Sequence, residues 1–187
     1  MARGRKSSLV KTLTGRDIKL LIQLSKTGIS AHDQAKLYCN LSLERLEKLE
    51  KSGYIKTSNH AVEGINTRII QLDKPGKQYC KENFNIRSFC QAQTNHLTHD
   101  IRLTEVYYSL EPEVQNTWQH EIDLMNEIYE KHPEMKGNLE NCVDARIKVN
   151  GEYIAIESIG ASYTTKDIQI KNDIATTLLG CSKMEAI

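Results

Sequence analysis

The stretch CVDARIKVNGEYIAIES, residues 142–158, places an acid near each end of a predicted β-hairpin. Apolar and polar residues alternate on both sides of Asn150-Gly151, and Asn-Gly is the strongest short signal for a two-residue hairpin turn. Asp144 therefore begins one strand, and Glu157, 13 residues later, closes the next. The two carboxylates are predicted to lie side by side, where they can share a divalent metal ion.

A mixed α/β arrangement surrounds this hairpin. A strand is predicted at 117–122, ahead of the hairpin, and Glu121 on that strand is a further candidate acid. A capped helix at 164–179 follows the hairpin and leads to a last strand at 183–187. Because a helix that crosses over to a final strand is typical of a mixed sheet, the C-terminal half is predicted to be α/β.

The N-terminal part predicts three helices, each with a capping residue at its start. Thr14 with Asp17 is close to a capping box, and apolar residues follow at helical spacing. Ser30 marks the start of a second, shorter helix, and Asn40 that of a third.

A second hairpin is predicted directly after these helices. Two β-rich runs, 54–57 and 67–72, flank a polar loop at 60–66. Pro75-Gly76 then opens a fourth helix.

Three helices followed by a hairpin resemble the winged helix-turn-helix family. The resemblance covers residues 14–82 and is most specific in LSLERLEKLEKSGYI, residues 41–55. In that family the third helix enters the major groove. The resemblance therefore implies nucleic-acid contacts by Asn40, Ser42, Arg45 and Lys48. His60, Arg68 and the tail residues Arg3, Arg5 and Lys6 are further candidates, for phosphates or the minor groove.

The same third helix carries Glu44, Glu47 and Glu50, which would repel phosphates. Pairing at i,i+4 spacing, as between Glu44 and Lys48, would tie these acids into the helix instead. Docking on a protein is therefore an alternative role for this half of the chain.

Charge is distributed unevenly along the chain. Residues 1–60 hold twelve Lys and Arg against five Asp and Glu, whereas residues 61–187 hold thirteen against nineteen. The basic half favours a polyanionic partner. The acidic half would repel a phosphate group unless a cation lay between the carboxylates and the phosphate. The sequence has no apolar run of membrane-spanning length, so no membrane role and a cytoplasmic location are expected. Five scattered cysteines predict reduced thiols.

A predicted helix at 95–110 contains HLTHDIRL, residues 96–103. A winged helix followed by such a helix and then a strand acid resembles the replication-relaxation family of plasmids and other mobile elements. The resemblance implies a role in plasmid replication or mobilisation and a restriction-endonuclease-like C-terminal core. His96 and His99 share one helical face and can ligate a metal, although no third ligand is evident nearby.

The C-terminal half resembles the PD-(D/E)XK nuclease superfamily. Asp144 and Glu157 match its two metal-binding acids, and the resemblance implies Mg²⁺ or Mn²⁺ as cofactor. Val143 stands where the family has proline, and Ile159 stands where it has the lysine that assists the attacking water. Some members supply that lysine from the following helix, where the candidates are Lys166, Gln169 and Lys171. Two lysines five residues apart do not share one face, so at most one points at the acids.

The predicted fold class is α+β, with an N-terminal winged helix-turn-helix followed by a small mixed α/β restriction-endonuclease-like domain. The expected organisation is a basic flexible tail at 1–13, the winged helix at 14–82, a linker at 83–94 and the nuclease-like domain at 95–187.

The expected function is that of a nucleic-acid-binding protein of a mobile element that cuts DNA or RNA. One alternative is a non-catalytic regulator of replication or transcription. Another is an inhibitor of host defence that docks on an RNA-guided nuclease or cuts its guide RNA. Expected partners are DNA, RNA or a host or plasmid nucleoprotein, and because winged helices often dimerise, a homodimer is an expected assembly.

Overall fold

Two separate β-sheets, each with its own helices, give the chain an α+β architecture. The computed structural model describes residues 9–92, 95–139 and 142–187. The chain divides into two units, residues 1–92 and 93–187. The predicted contacts Arg3, Arg5 and Lys6 lie outside the described residues.

The first unit places a three-stranded antiparallel sheet, in the order β1-β3-β2, beside its helices. Helix α1 packs against α2, α4 and strand β3. Its elements are α1 (Gly15–Thr27), β1 (Ser30–Ala31), α2 (His32–Cys39), α3 (Leu43–Lys51), β2 (Ile55–Val62), β3 (Ile65–Leu72) and α4 (Lys74–Phe84).

The predicted capping box of α1 is confirmed, but the expected caps of the next two helices are wrong. Thr14 and Asp17 cap each other's backbone N–H groups. Ser30 belongs to β1, because it pairs with β3 rather than opening a helix. Asn40 adopts a left-handed conformation with φ of 51° and ends α2, while the Ser42 hydroxyl caps α3 by accepting from the Arg45 N–H at 3.2 Å.

The first hairpin is longer than the sequence predicts. Residues 60–62 and 65–66, expected to form a polar loop, belong to β2 and β3, because their backbones stay paired through Val62 and Ile65. The turn is the two residues Glu63 and Gly64, with φ of 50° and 80°. Positive φ at both positions matches the right-handed twist of the flanking strands.

The second unit contains a mixed four-stranded sheet in the order β4-β5-β6-β7, in which the last pair is parallel. A 3₁₀ turn (Pro133–Met135) follows α7, and a π-helical turn (Ile174–Leu178) continues α8. The elements are α5 (Leu97–Ser109), α6 (Pro112–Gln115), β4 (Gln119–His120), α7 (Glu121–Lys131), β5 (Ala145–Val149), β6 (Glu152–Glu157), α8 (Thr165–Asp173) and β7 (Lys183–Ala186).

The hairpin that the sequence predicts at Asn150-Gly151 is confirmed. These residues have φ of 52° and 89° and join β5 to β6. The predicted strand at 117–122 is mostly wrong, because strand pairing covers only Gln119 and His120. Glu121 is the first residue of α7 rather than part of a strand.

The core of the second unit lies between the sheet and its helices. Ala155 of β6 and Val143, just before β5, pack with residues of α7 and of the π-helical turn. The buried cluster also contains Leu124, Ile128, Cys142, Ile174, Ala175, Leu179 and Cys181. Asp144 follows Val143 directly and Glu157 lies two residues after Ala155, so both acids adjoin this apolar layer.

A buried ion pair joins α1 to α3 in the first unit. The Asp17 side chain is fully buried, and its two oxygens accept from Arg45 Nε at 2.9 Å and Nη2 at 2.5 Å. The Thr14 N–H and hydroxyl donate to the same carboxylate. Burial raises the pKa of Asp17, but the hydrogen bonds from Arg45 and Thr14 outweigh it and hold the pKa below its usual value.

We expect Arg45→Ala to lower the free energy of unfolding of the first unit by about 3 kcal/mol, because it leaves Asp17 buried without a cation. Lys48→Ala on the same helix removes an exposed pair with Glu44 and should cost less than about 0.5 kcal/mol. Urea unfolding of both variants measures the difference, and equal losses would contradict it.

The Asp17 pair also predicts a dependence of stability on pH. The folded pKa lies below the unfolded value of about 3.9, so the contribution of Asp17 is complete above that pH and is lost as the pH falls through the folded pKa. Below about pH 4, the midpoint temperature of thermal unfolding should therefore decrease more steeply with decreasing pH in wild type than in Asp17→Asn. Asp33→Asn is the control, because that side chain is 97% exposed and should leave the slope unchanged.

Candidate functional site

The two acids of the second hairpin lie side by side, as predicted, at the open end of the β5–β6 hairpin in the middle of the sheet. Asp144 precedes β5 and Glu157 ends β6, and pairing of Ala145 with Ile156 brings them together. The Asp144 N–H donates to Glu157 Oε2 at 3.0 Å, and the Ser158 N–H donates to Asp144 Oδ2 at 2.7 Å. Each strand therefore holds the other strand's carboxylate through a backbone amide.

Glu157 is fully buried and is surrounded by donors. Its Oε1 lies 2.8 Å from Lys171 Nζ and accepts from the Tyr163 hydroxyl at 2.7 Å. Burial and the neighbouring Asp144 charge raise the pKa of Glu157, while Lys171 and Tyr163 act in the opposite direction. Burial and the same Glu157 charge raise the pKa of Tyr163, so its hydroxyl keeps its proton and remains a donor.

Among the described residues, Lys171 is the only one of the three candidates on α8 that contacts Asp144 or Glu157. Its side chain is 9% exposed, and its ammonium group also contacts the Cys142 carbonyl. Lys166 and Gln169 are exposed on the same helix, and Gln169 donates to Asp173 rather than toward the acids. The expectation that at most one lysine faces the acids therefore holds for the described contacts.

Glu121 acts on the backbone of the acid-bearing segment. Its Oε1 accepts from the Cys142 N–H at 3.0 Å, and its own N–H donates to the Asp144 carbonyl at 3.0 Å. Since Glu121 is the first residue of α7, these two hydrogen bonds connect the N-terminus of that helix to Cys142 and Asp144, on either side of Val143. Glu121 thereby positions Asp144. The sequence had instead suggested that Glu121 lies on a strand and is a further metal-binding acid.

His99 on α5 contacts Asp144 in a way that the sequence does not reveal. His99 Nε2 lies 2.9 Å from Asp144 Oδ2, and His99 Nδ1 lies 3.0 Å from Asp100 Oδ1. Burial lowers the pKa of His99, but the hydrogen bonds to Asp100 and Asp144 outweigh it and raise the pKa to about 10. The imidazole is therefore a cation at neutral pH.

One carboxylate oxygen of the acid pair remains open to a hard divalent cation. Among the described residues, Asp144 Oδ1 accepts no hydrogen bond, whereas Oδ2 accepts two. No group of three or more His, Cys, Asp or Glu side chains arranged to hold a metal occurs in residues 9–92, 95–139 and 142–187. Two carboxylates nevertheless suit Mg²⁺, which usually completes its shell with waters and substrate phosphate oxygens.

A cavity of about 500 Å³ lies next to these residues. Tyr163 and Lys171, which both contact Glu157 Oε1, form part of its wall. The remaining wall is mixed, with polar Asn138, Ser162 and Asp167 beside apolar Leu139, Ile170 and Ile174. Its volume lies within the usual range of small-molecule sites, about 300–1,000 Å³.

Most of the predicted nucleic-acid contacts of the first unit are engaged with protein groups. Arg45 holds Asp17, as described, and Arg68 donates to Glu50 at 2.9 Å and to Thr57 at 3.1 Å. Lys48 forms the predicted pair with Glu44 at 2.7 Å. His60 contacts the Ser58 hydroxyl, Ser42 caps α3, and the Asn40 carbonyl accepts from Arg16.

Comparison with protein-family models, with curated proteins and with solved structures gives no match for this chain. Within the described ranges, no helix is both long enough and apolar enough to cross a membrane. Function is therefore argued from the geometry alone.

We expect Lys171→Met to lower the free energy of unfolding of the second unit by about 3 kcal/mol, because it leaves Glu157 buried beside Asp144 without its cation. Lys166→Met on the same helix is the matched control and should change stability by less than about 0.5 kcal/mol. Urea unfolding compares the two variants. Equal stability of the two would show that Glu157 does not need the ammonium group.

Proposed function

We propose that this chain acts on nucleic acid and that its second unit is a Mg²⁺- or Mn²⁺-dependent phosphodiesterase of the PD-(D/E)XK type. The observation that carries the proposal is the contact of Lys171 with Glu157, beside Asp144. Two acids and a lysine are the residue types that this superfamily uses. The lysine of α8 compensates for Ile159, which stands at the usual lysine position.

The topology of the second unit supports the proposal. Three antiparallel strands are followed by α8 and by a fourth strand parallel to β6, with both acids at the β5–β6 hairpin. This is the arrangement that the resemblance implies for a restriction-endonuclease-like core. In the first unit, α1 to α3 and the β2–β3 hairpin support a winged helix in the same way.

In the proposed reaction Asp144 and Glu157 would hold the metal ion, and Asp144 Oδ1 is the oxygen that no described protein donor occupies. A bound divalent ion lowers the pKa of a water and offsets charge on the phosphate. Lys171 and Tyr163 fix the orientation of the Glu157 carboxylate, and the Ser158 N–H fixes that of Asp144. Water adds to phosphorus and the bond to one ester oxygen breaks. The leaving oxygen takes up a proton that the attacking water gives up, so the products are a hydroxyl group and a phosphate monoester.

A second candidate is a nucleic-acid-binding regulator that does not cleave. The observation in its favour is that each acid already contacts a protein cation, Asp144 through His99 and Glu157 through Lys171. Each acid of the pair therefore has a cationic partner without a metal ion, as in a purely structural network. This candidate predicts salt-dependent binding with no metal requirement.

Calorimetric titration with Mn²⁺, followed by cleavage assays on duplex DNA, single-stranded DNA and RNA, tests the proposal. We expect wild type to bind Mn²⁺ and to cleave one of these substrates. Asp144→Asn and Glu157→Gln keep the side-chain size and should each lower cleavage by about a hundredfold or more, the loss typical of removing one electrostatic stabiliser.

Lys166→Gln is the matched control for these variants, because it removes an exposed charge and should leave cleavage unchanged. The titrations are repeated with nucleic acid present, since substrate phosphates can complete a Mg²⁺ shell. Wild type that binds nucleic acid, but neither binds metal nor cleaves under either condition, would refute the phosphodiesterase and favour the regulator.

A further inference from the structure

The first unit contains a cavity of about 430 Å³ at the beginning of α1 and α3 and the end of α2. Arg16 of α1, Lys36 of α2 and Arg45 of α3 all contribute to its wall. None of the described residues that line it is acidic. Three helices therefore bring three cations to one concave surface, although these residues lie far apart in sequence.

The charge available to a ligand in this cavity is about two positive units. Asp17 neutralises Arg45 from behind, where its carboxylate is fully buried and takes Nε and Nη2. Arg45 Nη1 makes no hydrogen bond with any group in the described part of the chain. Arg16 and Lys36 are exposed, and Arg16 donates one bond to the Asn40 carbonyl.

The hydroxyl groups of the wall are less available to a ligand than the cations are. Thr14 and Ser42 are committed to the caps of α1 and α3, where they accept from Asp17 and Arg45 N–H groups. Leu41 is 2% exposed and supplies an apolar part of the wall. The surface is therefore suited to an anionic group attached to a less polar one.

We propose that this cavity binds the phosphate monoester of a nucleotide, either at the end of a nucleic-acid strand or on a free mononucleotide. A phosphate monoester carries about −1.5 to −2 charges at neutral pH, which matches the two uncompensated cations, whereas a bridging phosphodiester carries one. Arginine is well suited to such a group because its planar donors pair with two phosphate oxygens at once.

This inference rests on the proposed function in one respect, since it takes the ligand to be a nucleotide. Hydrolysis of a phosphodiester creates a phosphate monoester at one side of the cut, so the cavity recognises the group that the proposed reaction produces. The predicted base contacts Asn40, Ser42 and Arg45 would then belong to a phosphate pocket, together with Arg16 and Lys36.

Fluorescence anisotropy with an internally labelled single strand tests the inference. The same strand is used with a 5′-phosphate, with a 3′-phosphate or with hydroxyls at both ends, at one salt concentration and with EDTA to suppress cleavage. We expect one phosphorylated form to bind about tenfold more tightly than the hydroxyl form, as charge-assisted hydrogen bonds would give. A preference among the three strands identifies a strand end as the ligand, whereas competition by AMP without such a preference identifies a free nucleotide. Inorganic phosphate is the competitor without a nucleoside.

Arg16→Gln with Lys36→Gln should remove the preference for the phosphorylated strand. Both side chains are exposed, so the fold should tolerate the change, and circular dichroism checks it. Lys51→Gln with Lys74→Gln removes the same charge elsewhere in the unit, at exposed positions, and should keep the preference.

Equal affinity for all three strands, without competition by AMP, overturns the inference. An equal loss in the control variant overturns it as well, because the effect would then be one of total charge. Competition by AMP without a preference among the strands supports the cavity and assigns it to free nucleotides. Since binding is measured in EDTA, these results are independent of whether Asp144 and Glu157 support cleavage.

Discussion

A fully buried carboxylate, that of Glu157, is the constraint on which the second unit depends. An ionised carboxylate inside an apolar core is stable only with donors and a counter-cation. Lys171 of α8 and Tyr163 of the loop before it both contact Glu157 Oε1. The Asp144 N–H, at the start of β5, donates to Oε2 of the same carboxylate. One charge therefore sets where a helix, a loop and two strands meet.

The first unit also contains a fully buried carboxylate, that of Asp17, but its surroundings differ. That carboxylate accepts hydrogen bonds from a guanidinium and a capping threonine, which hold its pKa below the usual value. Glu157 instead has Asp144 beside it, and burial together with that neighbour raises its pKa. The first pattern is typical of a structural ion pair, and the second is typical of carboxylates arranged for chemistry. This contrast favours the second unit as the location of the proposed metal site, and the pair with Asp17 gives Arg45 a structural role in addition to its place in the cavity wall.

Local signals in the sequence correctly predicted local structure. The Thr14 capping box and the Asn150-Gly151 turn depend on neighbouring backbone and side-chain atoms, so short patterns suffice to identify them. Errors arose where a residue had two plausible local partners. Asn40 resembles an N-cap but ends α2, because Ser42 supplies the cap of α3. Glu121 begins a helix inside the segment 117–122, which was predicted to be a strand.

The sequence by itself determined the hairpin and therefore the adjacency of Asp144 and Glu157, because strand register follows from turn and alternation. It also limited the helper to at most one of Lys166 and Lys171, because residues five apart do not share one face of a helix. Only the tertiary structure decided that Lys171 is that lysine, that His99 contacts Asp144 across 45 residues of chain, and that Arg45 is paired with Asp17. These pairings are set by the packing of α5, α8 and α3, and no spacing within a single helix or hairpin encodes them.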